Sequence, residues 1–184
     1  MNQQDNMVET ESIKVVIRTR PTPDFASKNI NIDPNTQVSE VLFAQLLTNF
    51  YSLVQTVTLA MAKDGSAGII NNQKEQWTFK FDKLLHNASQ EEVFEYCAQQ
   101  AVHKVVDGFN GTILCYGQTG AGKTFTMAGS TANYKYRGLI PRAINKIFSE
   151  VGGRFDNQIT VKVSFVEIYN ELMFDMLSET SPAD

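Results

Sequence analysis

Apolar and polar positions along this chain change period several times, and each change marks an element. Ile13, Val15 and Ile17 alternate with Lys14, Val16 and Arg18 until Pro21 and Pro23 stop the run, which predicts one strand ending in a turn. Trp77, Phe79 and Phe81 alternate with Thr78, Lys80 and Asp82, a second strand with one apolar face. Ser89-Gln90-Glu91-Glu92 has the form of a capping box, with Ser89 as N-cap and Glu92 reaching back. Val93, Cys97, Ala101, Val102, Val105 and Val106 then make a helical stripe, closed by Gly108 as a left-handed C-terminal residue. Residues 112–116 are a short apolar run, the pattern of a strand buried on both faces, and residues 124–128 open a helix. Ile140, Ile144, Ile147, Phe148 and Val151 predict another amphipathic helix ending at Gly152-Gly153. Ile159, Val161, Val163 and Phe165 alternate with Thr160, Lys162 and Ser164 as a strand running into Glu167-Ile168-Tyr169-Asn170-Glu171. Strands alternating with helices predict a layered α/β fold, and no internal repeat is visible.

One stretch fits neither period. Residues 41–62 contain no charge and are rich in Leu, Val and Phe. Their length suits a membrane span, but Gln45, Asn49 and Gln55 are spread through the run, with Thr48, Ser52, Thr56 and Thr58 besides. Three readings stand: a transmembrane helix, an amphipathic helical insertion over residues 35–67, and sequence that never had to fold here. The helical insertion leads.

Composition narrows the function classes. With 184 residues the chain holds one domain with a real core, and its net charge of −4 gives no reason to expect nucleic acid or an anionic membrane as partner. The two cysteines, Cys97 and Cys115, lie in apolar periodic segments and read as buried reduced thiols, not as a disulfide or metal site. His86 and His103 have no further ligand at metal-binding spacing. Residues 1–12 are polar and acidic, a disordered lead-in with neither the apolar core nor the arginine-rich face of a targeting peptide.

The candidate chemistry lies in Gly117-Gln118-Thr119-Gly120-Ala121-Gly122-Lys123-Thr124, which fits the phosphate-loop pattern G-x-x-x-x-G-K-[ST] without a mismatch. A strand is expected before it and a helix after it, which is the context the motif needs. Glycines let successive backbone N–H groups turn inward toward phosphate oxygens, and the helix N-terminus behind them adds a favourable dipole. Lys123 would reach the β- and γ-phosphates, and the Thr124 hydroxyl would ligate Mg²⁺. The reading is a site for a nucleoside triphosphate with Mg²⁺.

The flanks of that loop resemble a known family. Residues 107–127, Asp-Gly-Phe-Asn-Gly-Thr-Ile-Leu-Cys-Tyr followed by the loop and Phe125-Thr126-Met127, closely resemble the phosphate-loop region of kinesin motor domains. Arg18-Thr19-Arg20-Pro21 looks like the family's R-x-R-P element, Arg137-Gly138-Leu139-Ile140-Pro141-Arg142 like its R-G-[IL]-[IVL]-P-R segment, and residues 164–171 like its S-[FYV]-[LV]-E-I-Y-N-E strand end. Asn71-Asn72-Gln73 and Asn133-Tyr134-Lys135 are most similar to the subfamily of motile cilia and flagella. The likeness covers residues 13–34 and 68–177.

The resemblance implies a P-loop NTPase fold with a central mixed sheet flanked by helices, here a partial motor domain over residues 13–184. It implies ATP as ligand, with Arg18, Arg20 and Pro21 under the adenine and Phe125 stacking on it. Gln118, Thr119, Gly120, Ala121, Gly122, Lys123 and Thr124 would cradle the phosphates, Thr124 also holding the metal. A guanidinium and an aromatic face give a purine two flat partners. Phe109 is assigned to packing, and Glu167, Tyr169, Asn170 and Glu171 to the side facing the microtubule.

What the resemblance implies of function is an ATP-driven microtubule motor of the cytoplasm and cytoskeleton, with a ciliary or flagellar placement and an oligomeric partner through a stalk beyond this chain. The alternative is a non-motor nucleotide-binding fragment with little turnover. The family's switch elements, N-x-x-S-S-R-S-H and D-L-A-G-S-E, do not occur before Asp184, so no catalytic residue is assigned. Strands from a second half would lie beside those expected at residues 112 and 159. Without them each buried unpaired backbone group costs about 1–3 kcal/mol, and the 184-residue chain alone is expected to be insoluble or partly molten.

Overall fold

Among the described residues the strands pair in three separate sheets, packed with four helices. The computed structural model describes residues 13–19, 30–33, 55–60, 76–154 and 158–178. In chain order they form β1 (Val16–Thr19), β2 (Ile30–Asp33), β3 (Gln55–Ala60), β4 (Gln76–Phe81) and β5 (Lys83–His86), then helices α1 (Gln90–Cys97), α2 (Gln99–Val106) and α3 (Lys123–Met127). A 3₁₀ turn at Tyr134–Tyr136 leads into α4 (Leu139–Val151), and β6 (Val166–Tyr169) with β7 (Leu172–Asp175) ends the described chain. β1 and β5 run parallel, with Arg18 opposite Leu85. β2, β3 and β4 form an antiparallel meander in which Val57 faces Phe79 and Thr58 faces Thr78. Each of these sheets answers a pattern of alternation, though β2 and β5 were too short to stand out.

β3 corrects the expectation of a helical insertion over 35–67. Residues 55–60 are a strand, paired on both sides. Val57 and Leu59 alternate with Thr56 and Thr58, a β-branched period-two pattern that favours a pleated strand over a helix. The rest of the uncharged stretch, like the lead-in at 1–12, lies outside the described residues. No described helix is long and apolar enough to cross a membrane.

The core gathers Leu85, Ala88, Val93, Phe94, Ala98 and Leu139, with Val16, Cys97, Ile113, Met127 and Ala143 packed against it. Val93 is 2% exposed, and burying such a side chain stabilises by about 1.5–3 kcal/mol. The capping box forms as expected: the Ser89 N–H donates to the Glu92 carboxylate at 2.7 Å, and the Glu92 N–H donates to the Ser89 hydroxyl at 3.1 Å. The single helix expected over 93–106 is bent into α1 and α2 at Ala98, with φ −124° and ψ −31°. Ala98 has no exposed surface, and the chain turns around its small side chain while Ala98 N–H to Phe94 C=O and Val102 N–H to Ala98 C=O are both kept at 2.9 Å. Gly108 closes α2 at φ +99°, with Phe109 N–H bonded to Lys104 C=O and Gly108 N–H to Val105 C=O, a Schellman arrangement.

Two expected strands are not formed as strands and belong to no ladder. Along residues 112–116 only one face is covered: Ile113 packs on the core, whereas Leu114 is 87% and Tyr116 95% exposed. The doubly buried strand expected there is not found, because no described strand flanks it. Residues 158–165 likewise carry no regular secondary structure, and strand pairing starts only at β6. β6 and β7 close through Asn170 and Glu171, both at positive φ (49° and 64°), the mark of a type I′ hairpin turn. Cys97 and Cys115 are free, half-buried thiols, and burial pushes the Cys97 thiol up, away from the reactive thiolate.

Candidate nucleotide site

The irregular segment after α2 delivers the chain to residues 117–122, a loop that turns directly into α3. Ala121 N–H closes a tight turn on Gln118 C=O at 3.1 Å. Gly120 and Gly122 take φ +79° and +102°, conformations that an L side chain resists, and Gly122 is the N-cap of α3. The motif's glycines therefore stand where the backbone requires them. Lys123 begins the helix, and its ammonium donates to the carbonyls of Gly117 at 2.7 Å and Gln118 at 2.9 Å. The cation is thus tied back to the start of its own loop. Thr124 is exposed on the first turn, where a hydroxyl is open to a cation. A cationic amine, a left-handed glycine turn and a helix start within eight residues form a donor set that fits a Mg²⁺-bound polyphosphate.

The far end of α3 is held by residues from distant parts of the chain. Arg18 of β1 donates through Nη1 to Thr126 Oγ1 at 2.8 Å and to Gln90 Oε1 at 2.9 Å, and through Nη2 to Ala88 C=O at 3.4 Å. Its guanidinium lies 5.6 Å from the centroid of the Phe125 ring, so two of the expected base-binding residues are brought together. Burial lowers the pKa of Arg18, which nevertheless remains a cation because its ordinary value is so high. Arg20 and Pro21 lie outside the described residues. Gln90, read in the sequence only as filler in the capping box, is 4% exposed and donates from Nε2 to Phe125 C=O at 2.7 Å and Tyr136 C=O at 3.2 Å. Only its place as the first residue of a capped helix could have pointed to it.

The segment after α3 folds back over that helix. Gly129 and Arg137 form an isolated antiparallel bridge, and Gly138 N–H reaches Ala128 C=O at 3.0 Å. A Cβ on Gly138 would lie 2.5 Å from Met127 O, so the second residue of Arg137-Gly138-Leu139-Ile140-Pro141-Arg142 is dictated by close backbone approach. The two arginines of that segment lie over Tyr134, at 5.0 Å for Arg137 and 5.7 Å for Arg142, and Arg142 Nε donates to Arg137 C=O at 2.9 Å. Glu167, Tyr169, Asn170 and Glu171 are exposed on the β6–β7 hairpin. No group of three or more His, Cys, Asp or Glu side chains among the described residues is placed to hold a metal.

Residues 18–184 match the family described as the kinesin motor domain. The chain belongs to the kinesin motor-domain family. It is 44% identical to Kinesin-like protein KIF9 of Mus musculus over 168 residues, which is 91% of this chain but 19% of that protein. The fold is similar to the C-terminal motor domain of Kar3 from Candida glabrata, with TM-score 0.66 and 29% identity over 92% of this chain and 48% of that kinesin chain. It is also similar to the Drosophila kinesin Kin10/NOD in complex with divalent manganese and ADP, with TM-score 0.51 and 35% identity over 60% of this chain and 39% of that one. The chain therefore spans about a fifth of the KIF9 length and about half of the Kar3 motor domain. The layered P-loop NTPase fold expected of a kinesin is the fold of these neighbours, and the matched range includes residues 35–67.

Proposed function

We propose that this chain is the ATP-binding part of a microtubule motor, in which binding and hydrolysis of ATP with Mg²⁺ drive movement along microtubules. The observation that carries the reading is the loop at 117–122 turning into α3, with Lys123 at its mouth and the Arg18–Phe125 pair at its other end. Loop N–H groups and the Lys123 ammonium would hold the phosphates and neutralise charge on the γ-phosphate. Thr124 would hold the metal, which when bound would offset the negative charge of the phosphates. Phe125 and Arg18, with Arg20 and Pro21, would receive the adenine. Kinship with a kinesin structure holding manganese and ADP supports the ligand class.

The hairpin carrying Glu167, Tyr169, Asn170 and Glu171 is read as part of the microtubule-facing side, and no residue here is assigned as catalytic base. Kinship with kinesins supports a place on the cytoskeleton. The axonemal placement is a reading of the local wording around residues 71–73 and 133–135. The test is steady-state ATP hydrolysis by the full-length protein with and without microtubules. Stimulated turnover is expected; tight ATP binding with no turnover in either condition would make this a non-motor nucleotide-binding protein.

A further inference from the structure

α3 has only five residues, too short to hold itself together, and its last carbonyls have no N–H of their own helix to accept. Thr124 C=O is satisfied by Ala128 and Gly129 N–H, but the next carbonyl, that of Phe125, is taken up by the Gln90 side chain at 2.7 Å. The same carboxamide also holds Tyr136 C=O and, through its oxygen, the Arg18 guanidinium. Both N–H donors and one acceptor site of Gln90 are therefore used inside the protein, and the amide has only one workable orientation. A flipped amide would set oxygen against two carbonyls and NH₂ against a cation.

We propose that Gln90 is a positioning residue of the nucleotide site: its carboxamide locks Arg18 and the Phe125 end of α3 into one arrangement and so sets the surface on which the purine stacks. The inference rests on the nucleotide reading above and extends it to a residue that never touches the ligand. Gln90 bonds to Arg18 and to the Phe125 carbonyl, whereas Lys123 is held by the Gly117 and Gln118 carbonyls, so the influence of Gln90 falls on the base and not on the phosphates. The two parts of the ligand should respond separately when it is changed.

The test compares affinities of the full-length protein for ATP and for inorganic tripolyphosphate, both with Mg²⁺, in wild type, Gln90→Met, Gln90→Glu and Phe125→Ala. Gln90→Met keeps the length and removes every polar contact. Gln90→Glu keeps the acceptor for Arg18 but turns a second oxygen toward the Phe125 and Tyr136 carbonyls. Both are expected to weaken ATP about tenfold while tripolyphosphate changes less than about twofold. The ratio does not depend on how much protein is folded, since unfolded chains bind neither ligand, so general destabilisation leaves it unmoved. If Phe125→Ala lowers the ratio and both Gln90 variants leave it at the wild-type value, the Gln90 inference is overturned and the nucleotide reading stands. If wild type itself shows no preference for ATP over tripolyphosphate, the base-stacking surface is wrong and Gln90 has nothing to position.

Discussion

Lys123 reaches across its loop to the carbonyl of Gly117, 2.7 Å away, so that the first and seventh residues of the motif touch. A cation held by two backbone carbonyls keeps one N–H free to meet an anion and is already at the place where charge must be neutralised. Lys123→Ala removes that charge and leaves the glycine turns intact. ATP affinity of the full-length protein is expected to fall about 10- to 100-fold, the worth of a charge-assisted contact. Titration calorimetry reads it directly, and an unchanged affinity would remove the basis of the nucleotide assignment.

Gly138 lies against the backbone of α3. Gly138→Ala brings a methyl to 2.5 Å from Met127 O and 2.6 Å from Thr126 O, where only backbone can yield. The expected loss is about 1–3 kcal/mol of unfolding free energy. Gly153→Ala, whose added carbon would stay 3.8 Å from the nearest atom, serves as the control. Chemical denaturation of the two variants should separate them clearly; equal midpoints would contradict the close approach.

Acid should loosen the α1 and α2 ends. The Ser89 backbone N–H, then its hydroxyl, hold the Glu92 carboxyl below its ordinary 4.5, and Arg154 holds Asp107 below its ordinary 3.8. Groups lowered in the folded state contribute stability that is complete above the unfolded value and is lost as pH falls through the folded one. Melting temperature should therefore decline below about pH 4.5. Glu92→Gln, which cannot titrate, should flatten that decline, and an identical slope in the variant would mean that the box carries none of it.

Exposed apolar backbone should be visible in exchange. Leu114 and Tyr116 protrude from a segment that belongs to no ladder. In residues 1–184 expressed alone, amides of 112–116 are expected to exchange with solvent far faster than those of α4, and the chain to melt without a sharp transition. A cooperative melt with submillimolar ATP affinity would refute this.

How much of this was readable in advance depended on where the stabilising contacts are local. The capping box, the Gly108 closure and the phosphate-loop turn are each decided within about six residues, and all three were legible. β3 was misread because long apolar runs without charge obscure period two, and its strand character is settled by partners far along the chain. The apolar composition of residues 112–116 reports a demand for cover on both faces, not whether a neighbouring strand meets it. Gln90 escaped because a buried amide at a helix start leaves no periodic trace. Arg18 and Phe125 were legible only through likeness to a family, since nothing local brings them together.

The hydrogen bond from Arg18 to Thr126 joins positions 108 apart. During synthesis on the ribosome, β1 therefore emerges long before the helix that receives its guanidinium exists. Closing so long a loop comes late in folding. The growing polypeptide must keep its first strand out of trouble, alone or with a chaperone, until the segment around Thr126 has cleared the exit tunnel.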